Sequence, residues 1–175
     1  MTILRSERID FQIAPGYFLE FYKLPSGEKR VGKSSAAVSC GLKKNYFNRL
    51  QSATPKQLEA LQSRGFTGYT VPVIIGRDDG RGASKSDTLS LDDFRAFIKF
   101  AAFDLGKKPA MAIAEAMLGI AIETIARQAF GEEALTIQEL REEFCKRFAQ
   151  TVNWMEEDRD DSLAIDEHLL FLGIQ

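Results

Sequence analysis

The first half of the chain alternates β-type segments with short helical ones. Residues 9–14 and 17–24 are rich in β-favouring side chains, among them Phe18, Leu19, Phe21 and Tyr22, and Pro15-Gly16 separates the two. Pro25-Ser26-Gly27 turns the chain, and Glu28 to Val31 is expected to return as a strand, giving an N-terminal hairpin. Ser34 or Ser35 can cap a helix running through Cys40, which Gly41 interrupts. Lys43 to Ser52 predicts a second helix, because Tyr46, Phe47 and Leu50 fall at helical spacing. Pro55 opens a third, to about Ser63, and Gly65 ends it. Residues 69–75, YTVPVII, read as a strand that Pro72 confines to an edge or a bulge. A polar, Gly-rich loop over 76–87 follows, and Thr88 to Leu91 returns as a strand.

From residue 90 onward the period is helical. Ser90 with Asp93 resembles a capping box, and Leu91 to Leu105 carries Phe94, Phe97, Ile98 and Ala101 on one face. Pro109 opens a nearly all-apolar helix to Phe130. Its apolar stretch is short for an unaided membrane span and holds Glu115, so a central, surrounded helix is expected and no membrane partner. Thr136 and Glu139 form a capping box for a helix to about Glu156. Its stripe, Ile137, Leu140, Phe144, Phe148, Val152 and Met155, lies close to heptad spacing, so it either packs in the core or pairs with a copy of itself in a homodimer. The run 156–161, EEDRDD, reads as a solvated break before a short apolar helix from Leu163 to Leu172. The expected fold class is α+β: an N-terminal β-hairpin, a helix-turn-helix with a wing-like hairpin, and a C-terminal helical bundle. Residues 1–90 would form the first part and 91–175 a helical region packing on it.

Composition narrows the classes of function. With 45% hydrophobic and 27% charged residues the chain is globular in type. Its start lacks a basic region followed by an apolar run, so a cytoplasmic protein is expected. Cys40 and Cys145 follow no ligand spacing and read as reduced thiols. Zinc sites need clustered Cys and His, and the single histidine, His168, has no catalytic signature around it. Asp78-Asp79 and Asp92-Asp93 are adjacent carboxylates that diverge on any regular element, and GRDDGRG lacks the Lys-Ser/Thr of a phosphate loop. The expectation is a non-enzyme with no metal and no cofactor.

Charge is divided unevenly. Residues 1–66 hold 11 Lys+Arg against 5 Asp+Glu, a net of +6, and residues 67–175 hold 12 against 20, a net of −8. An anionic partner would meet the front half, and a protein partner could use the acidic C-terminal half.

The segment Lys33 to Ser52, KSSAAVSCGLKKNYFNRLQS, carries the functional expectation. Ala37 is small where two helices would cross, and Gly41 stands four residues later where a left-handed turn is wanted. Cys40, Leu42, Phe47 and Leu50 supply the apolar inner positions. This pattern resembles the helix-turn-helix. The resemblance implies that Lys43, Lys44, Asn45, Asn48, Arg49 and Ser52 face outward toward double-stranded DNA, with Lys33 reaching phosphate. Two helices, a third, then strand, Gly-rich loop and strand resemble a winged helix. In that reading Arg77, Arg81 and Lys85 belong to the wing, although Asp78, Asp79 and Asp87 offset their charge. The order of hairpin, helix-turn-helix-like unit, strand and long helices is also similar to phage antirepressors of the Bro and KilA types. The stretch YFLEFYKLPSGEKRVGKSSAAVSCGL is similar to short proteins of cyanobacteria and their mobile elements, a group that implies no activity. A DNA-binding regulator is therefore expected, with a protein-interaction module as the alternative.

Overall fold

A single sheet gathers the β-type segments of both hairpins. In the computed structural model, which describes residues 4–14, 17–76 and 83–153, the strands are β1 (Leu4–Arg5), β2 (Glu7–Ala14), β3 (Tyr17–Lys23), β4 (Lys29–Gly32), β5 (Val71–Gly76) and β6 (Ala83–Ser90). Their order is β1-β5-β6-β4-β3-β2, antiparallel throughout except that β1 runs parallel to β5. The helices are α1 (Lys33–Ser39), α2 (Tyr46–Ala53), α3 (Pro55–Ser63), α4 (Leu91–Lys99) and α5 (Lys108–Ala129), with a π-helical turn at Phe100–Asp104 and a further helix, α6, over 137–153. The architecture is α+β. The chain divides into two compact units, Met1–Ala114 and Glu115–Gln175. α4 buries Phe94, Phe97 and Ile98 within the first unit.

The β5–β6 hairpin is part of the main sheet. Pairing of Val31 with Leu89 and of Arg30 with Ser90 places β6 between β5 and β4. The seam is held by a buried cation that the sequence shows only as one charge on a short strand. Arg30 is 2% exposed. Its Nε donates to Thr88 Oγ1 at 2.9 Å, and Nη2 donates to the carbonyls of Tyr69 (3.1 Å) and Thr88 (3.2 Å). Its Nη1 pairs with Glu28, and the guanidinium lies 5.9 Å from the centre of the Tyr69 ring. Buried charge is tolerated here because each edge of the fork meets an acceptor. Pro72 is also not on an outer strand: β5 lies between β1 and β6, but β1 reaches only Val73 and Ile74.

Aromatic packing seats α2. Phe97 of α4 lies 4.5 Å from Phe47 and 5.9 Å from Tyr46, centre to centre, and Phe47 stacks on Phe66 at 5.9 Å. The loop carrying Phe66 is fixed by Asp93, a residue that sequence pattern alone marks as part of a helix cap. Ser90 Oγ does accept from Asp93 N–H at 3.0 Å, but the Asp93 carboxylate does not reach back. It is buried and accepts from the N–H and hydroxyl of Thr67 at 2.7 and 2.9 Å.

One expectation for the long helices fails. α5 is not surrounded: only 22% of its most apolar 18-residue window is buried, although that window, with a mean hydropathy of 1.5, would suit a membrane span by length and composition. In α6, Phe144 and Phe148 are buried, while Ile137 at the start of the same stripe is exposed. The Thr136–Glu139 box forms as expected: the carboxylate accepts from the Thr136 N–H and hydroxyl, both at 2.8 Å, and these bonds hold its pKa below the usual range. Trp154, Met155, the 156–161 run, the 163–172 helix and His168 lie outside the described residues.

The Arg30 cluster yields a stability contrast. Arg30→Met leaves the acceptors at Thr88 and Tyr69 without their charged donor and should lower unfolding free energy by about 2–3 kcal/mol. Arg8→Ala, which breaks partly exposed pairs with Asp10 and Glu20, should cost about 1 kcal/mol or less. Urea unfolding of both variants checks the ranking.

Candidate nucleic-acid interface

The turn between α1 and α2 is built from backbone bonds. Gly41 N–H donates to the Val38 carbonyl at 3.0 Å and Leu42 N–H to the Ala37 carbonyl at 2.9 Å. This is a Schellman closure, and it requires a left-handed residue at the glycine. Gly41 has φ +76°. It also lies against the start of α5: a Cβ there would sit 3.1 Å from Pro109 Cγ. Ala37 and Cys40 are fully buried and Leu50 and Phe47 nearly so. Burial pushes the Cys40 thiol up to about 12, so it stays protonated at neutral pH.

Two local expectations need correction. α1 begins at Lys33 after Gly32 with no side-chain cap. Ser35 instead donates to the Gly32 carbonyl at 3.0 Å and accepts from Glu20 N–H at 3.1 Å, tying α1 to β3. The second helix starts at Tyr46 and not at Lys43. Lys43, Lys44 and Asn45 form a turn, closed by Tyr46 N–H to the Lys43 carbonyl at 2.8 Å. Two adjacent cations are unfavourable in the first turn of a helix, where the dipole is positive.

The predicted site residues separate into groups. Lys43, Lys44, Asn45, Asn48 and Arg49 are all exposed. Lys43, Asn45 and Arg49 line one cleft of about 380 Å³, together with Tyr46, Thr54 and Lys107. Lys33 and Asn48 line a different cleft, of about 430 Å³, beside Phe66 and Thr67. Lys44 lines neither of these clefts. Ser52 lies on α2, and Lys85 is exposed on β6. Arg77 and Arg81 lie outside the described residues.

Lys107 is the addition that the sequence did not bring forward. The π-helical turn ends with Lys107 N–H donating to the Ala101 carbonyl at 2.8 Å, and Pro109 then packs on Gly41. One contact therefore fixes both walls of the cleft. A faint signal existed: Lys107-Lys108 precedes Pro109 at a helix start, where cations are electrostatically out of place. No carboxylate is among the residues lining the cleft. Asp104, close in sequence, is engaged by Arg64, with Nη2 to Oδ1 at 3.0 Å, and this holds its pKa below the usual range. Three cations around one concavity focus positive potential on it. The Tyr46 hydroxyl donates to Gln57 Oε1 at 3.0 Å, and burial pushes its pKa up to about 12, so it adds no negative charge.

Comparison with protein-family models, curated proteins and solved structures finds no match. The site therefore rests on its own geometry.

The division of charge sharpens at the observed boundary. Residues 1–114 hold 18 Lys+Arg against 11 Asp+Glu, a net of +7, and residues 115–175 hold 5 against 14, a net of −9.

The Gly41–Pro109 contact makes its own prediction. Gly41→Ala should cost about 1–2 kcal/mol for the left-handed backbone and a further amount for the clash with Pro109. Gly27→Ala, at φ +86° with open space around it, should show only the backbone part. Equal losses in thermal unfolding of the two variants would mean that Pro109 yields freely.

Proposed function

We propose that this chain is a DNA-binding regulator, and that it meets double-stranded DNA with the α1–α2 turn and the exposed side of α2. The observation that carries the reading is the gathering of Lys43, Arg49 and Lys107 around one cleft that no carboxylate lines. Phosphate contacts dominate affinity for duplexes, and such cations supply them. Asn45 lines the same cleft, and Asn48 is exposed on α2. Amides of this kind pair with adenine edges where they reach a groove. The net charge of −9 on residues 115–175 is repelled by the polyanion, so the long-range field favours approach of the basic unit.

Because Lys43, Lys44 and Asn45 sit in the turn, they suit backbone contacts, while Asn48 and Arg49, exposed on α2, suit base edges. α2 has eight residues, about two turns. That length offers few base contacts, so sequence discrimination should be modest and phosphate contact should dominate.

Fluorescence anisotropy against a random-sequence duplex tests this. The triple variant Lys43→Ala, Lys44→Ala, Arg49→Ala should bind at least ~10-fold more weakly at low salt. Its slope of log K against log salt should be shallower by about 2–3, one step of roughly 0.9 for each phosphate no longer neutralised. Lys107→Ala alone should flatten the slope by about 1. Lys146→Ala, beside Glu143 in the acidic unit, should change neither quantity. Unchanged affinity and slope in the triple variant would refute the proposal.

A further inference from the structure

Within the unit Glu115–Gln175, α5 presents an apolar stripe to solvent. Leu118, Ile122 and Ile125 are 56%, 60% and 66% exposed, and Phe130, just past the helix end, is 84% exposed. The spacing of four and then three places the three aliphatics on one line, the pattern by which one helix meets another. Ala121 and Ala126 flank this line and are small enough to admit a close neighbour. α6 does not cover it. A Cβ at Gly119 would collide with the Arg147 guanidinium, so α6 lies against the Gly119 side of α5. Ala116, on that side too, is fully buried. At 3.6 residues per turn, the centre of this covered side lies roughly 100–140° around the helix from the stripe.

Charge at the ends of the stripe selects its occupant. Glu115 is exposed at one end, and Glu132 and Glu133 are exposed beyond Phe130 at the other. Glu123, on α5, is paired with Arg127 at 2.9 Å. A second copy of this helix would bring acid against acid at the ends in either orientation, on a unit that already carries −9. An anionic membrane surface would be repelled likewise. An amphipathic helix with Lys or Arg beside its apolar face satisfies both features.

We infer that the Leu118–Ile122–Ile125 face of α5 docks a basic amphipathic helix of a partner protein. The aliphatic line supplies burial, and Glu115, Glu132 and Glu133 supply complementary charge that favours this partner over an acidic one. The surface is distinct from the basic cleft, and the inference stands whether or not DNA is bound.

The test uses the full chain and two synthetic 18-residue helical peptides. They share a leucine line at heptad spacing and differ only in having Lys or Glu beside it. The Lys peptide should bind, more weakly as salt rises, and the Glu peptide at least ~10-fold more weakly. The double variant Ile122→Ser, Ile125→Ser changes exposed positions. It should keep the wild-type circular dichroism and melting temperature while losing at least ~10-fold in affinity for the Lys peptide. Equal binding of the two peptides, or undiminished binding by the double variant, would overturn the inference. So would a wild-type dimer in sedimentation that the double variant dissociates, since the occupant would then be a second copy. Loss of phosphatidylcholine-vesicle binding in the double variant would assign the face to lipid and overturn it as well.

Discussion

A glycine in the left-handed region, pressed against a proline ring, organises the basic unit. The turn at Gly41 ends α1 with a pair of backbone bonds that no residue with φ below zero can form. The Pro109 ring fills the space where a Cβ would otherwise stand. From that contact the rest follows. α1 is held to the sheet through Ser35 and Glu20, so the turn cannot drift. α2 leaves it along a path that the Phe47–Phe97 contact fixes. Pro109 places the π-helical turn's exit, and with it Lys107, in the same cleft as Lys43 and Arg49. Three cations from separate parts of the chain thus line one concavity.

No carboxylate is among the residues that line this concavity. Carboxylates are not scarce in the chain; 14 of the 25 fall in residues 115–175. Segregation on this scale biases the approach of a polyanion toward the basic unit before the two surfaces touch. The same segregation gives the acidic unit its own recognition chemistry, since an apolar line with acidic ends discriminates among helices by the charge they carry. Cation-rich cleft and acid-ended stripe are two uses of one uneven distribution.

Much of the basic unit is legible in the order of residues. Ala37, Cys40, Gly41, Phe47 and Leu50 fit their inner positions because small, left-handed and apolar requirements leave few alternatives locally. What stays hidden depends on partners far along the chain. Arg30 reads as a surface charge until Thr88 and the Tyr69 carbonyl enclose it. Asp93 reads as a helix-capping acid until Thr67 arrives. Lys107 joins the cleft only through the packing of Pro109 on Gly41. Apolar spacing starts α2 too early, at Lys43, because it does not register the unfavourable dipole at Lys43 and Lys44. α5 reads as a core helix because hydrophobicity alone does not say whether a neighbour within the chain covers it; α6 takes one side and leaves the Leu118–Ile125 line bare.

The most direct measurement is a heteronuclear NMR titration of the full chain with a short random-sequence duplex at low salt. Amide shifts should move at Gly41 through Arg49 and at Lys107, and stay fixed along α6. A duplex that shifts no residue of the α1–α2 turn, or that perturbs the acidic unit instead, would contradict the account.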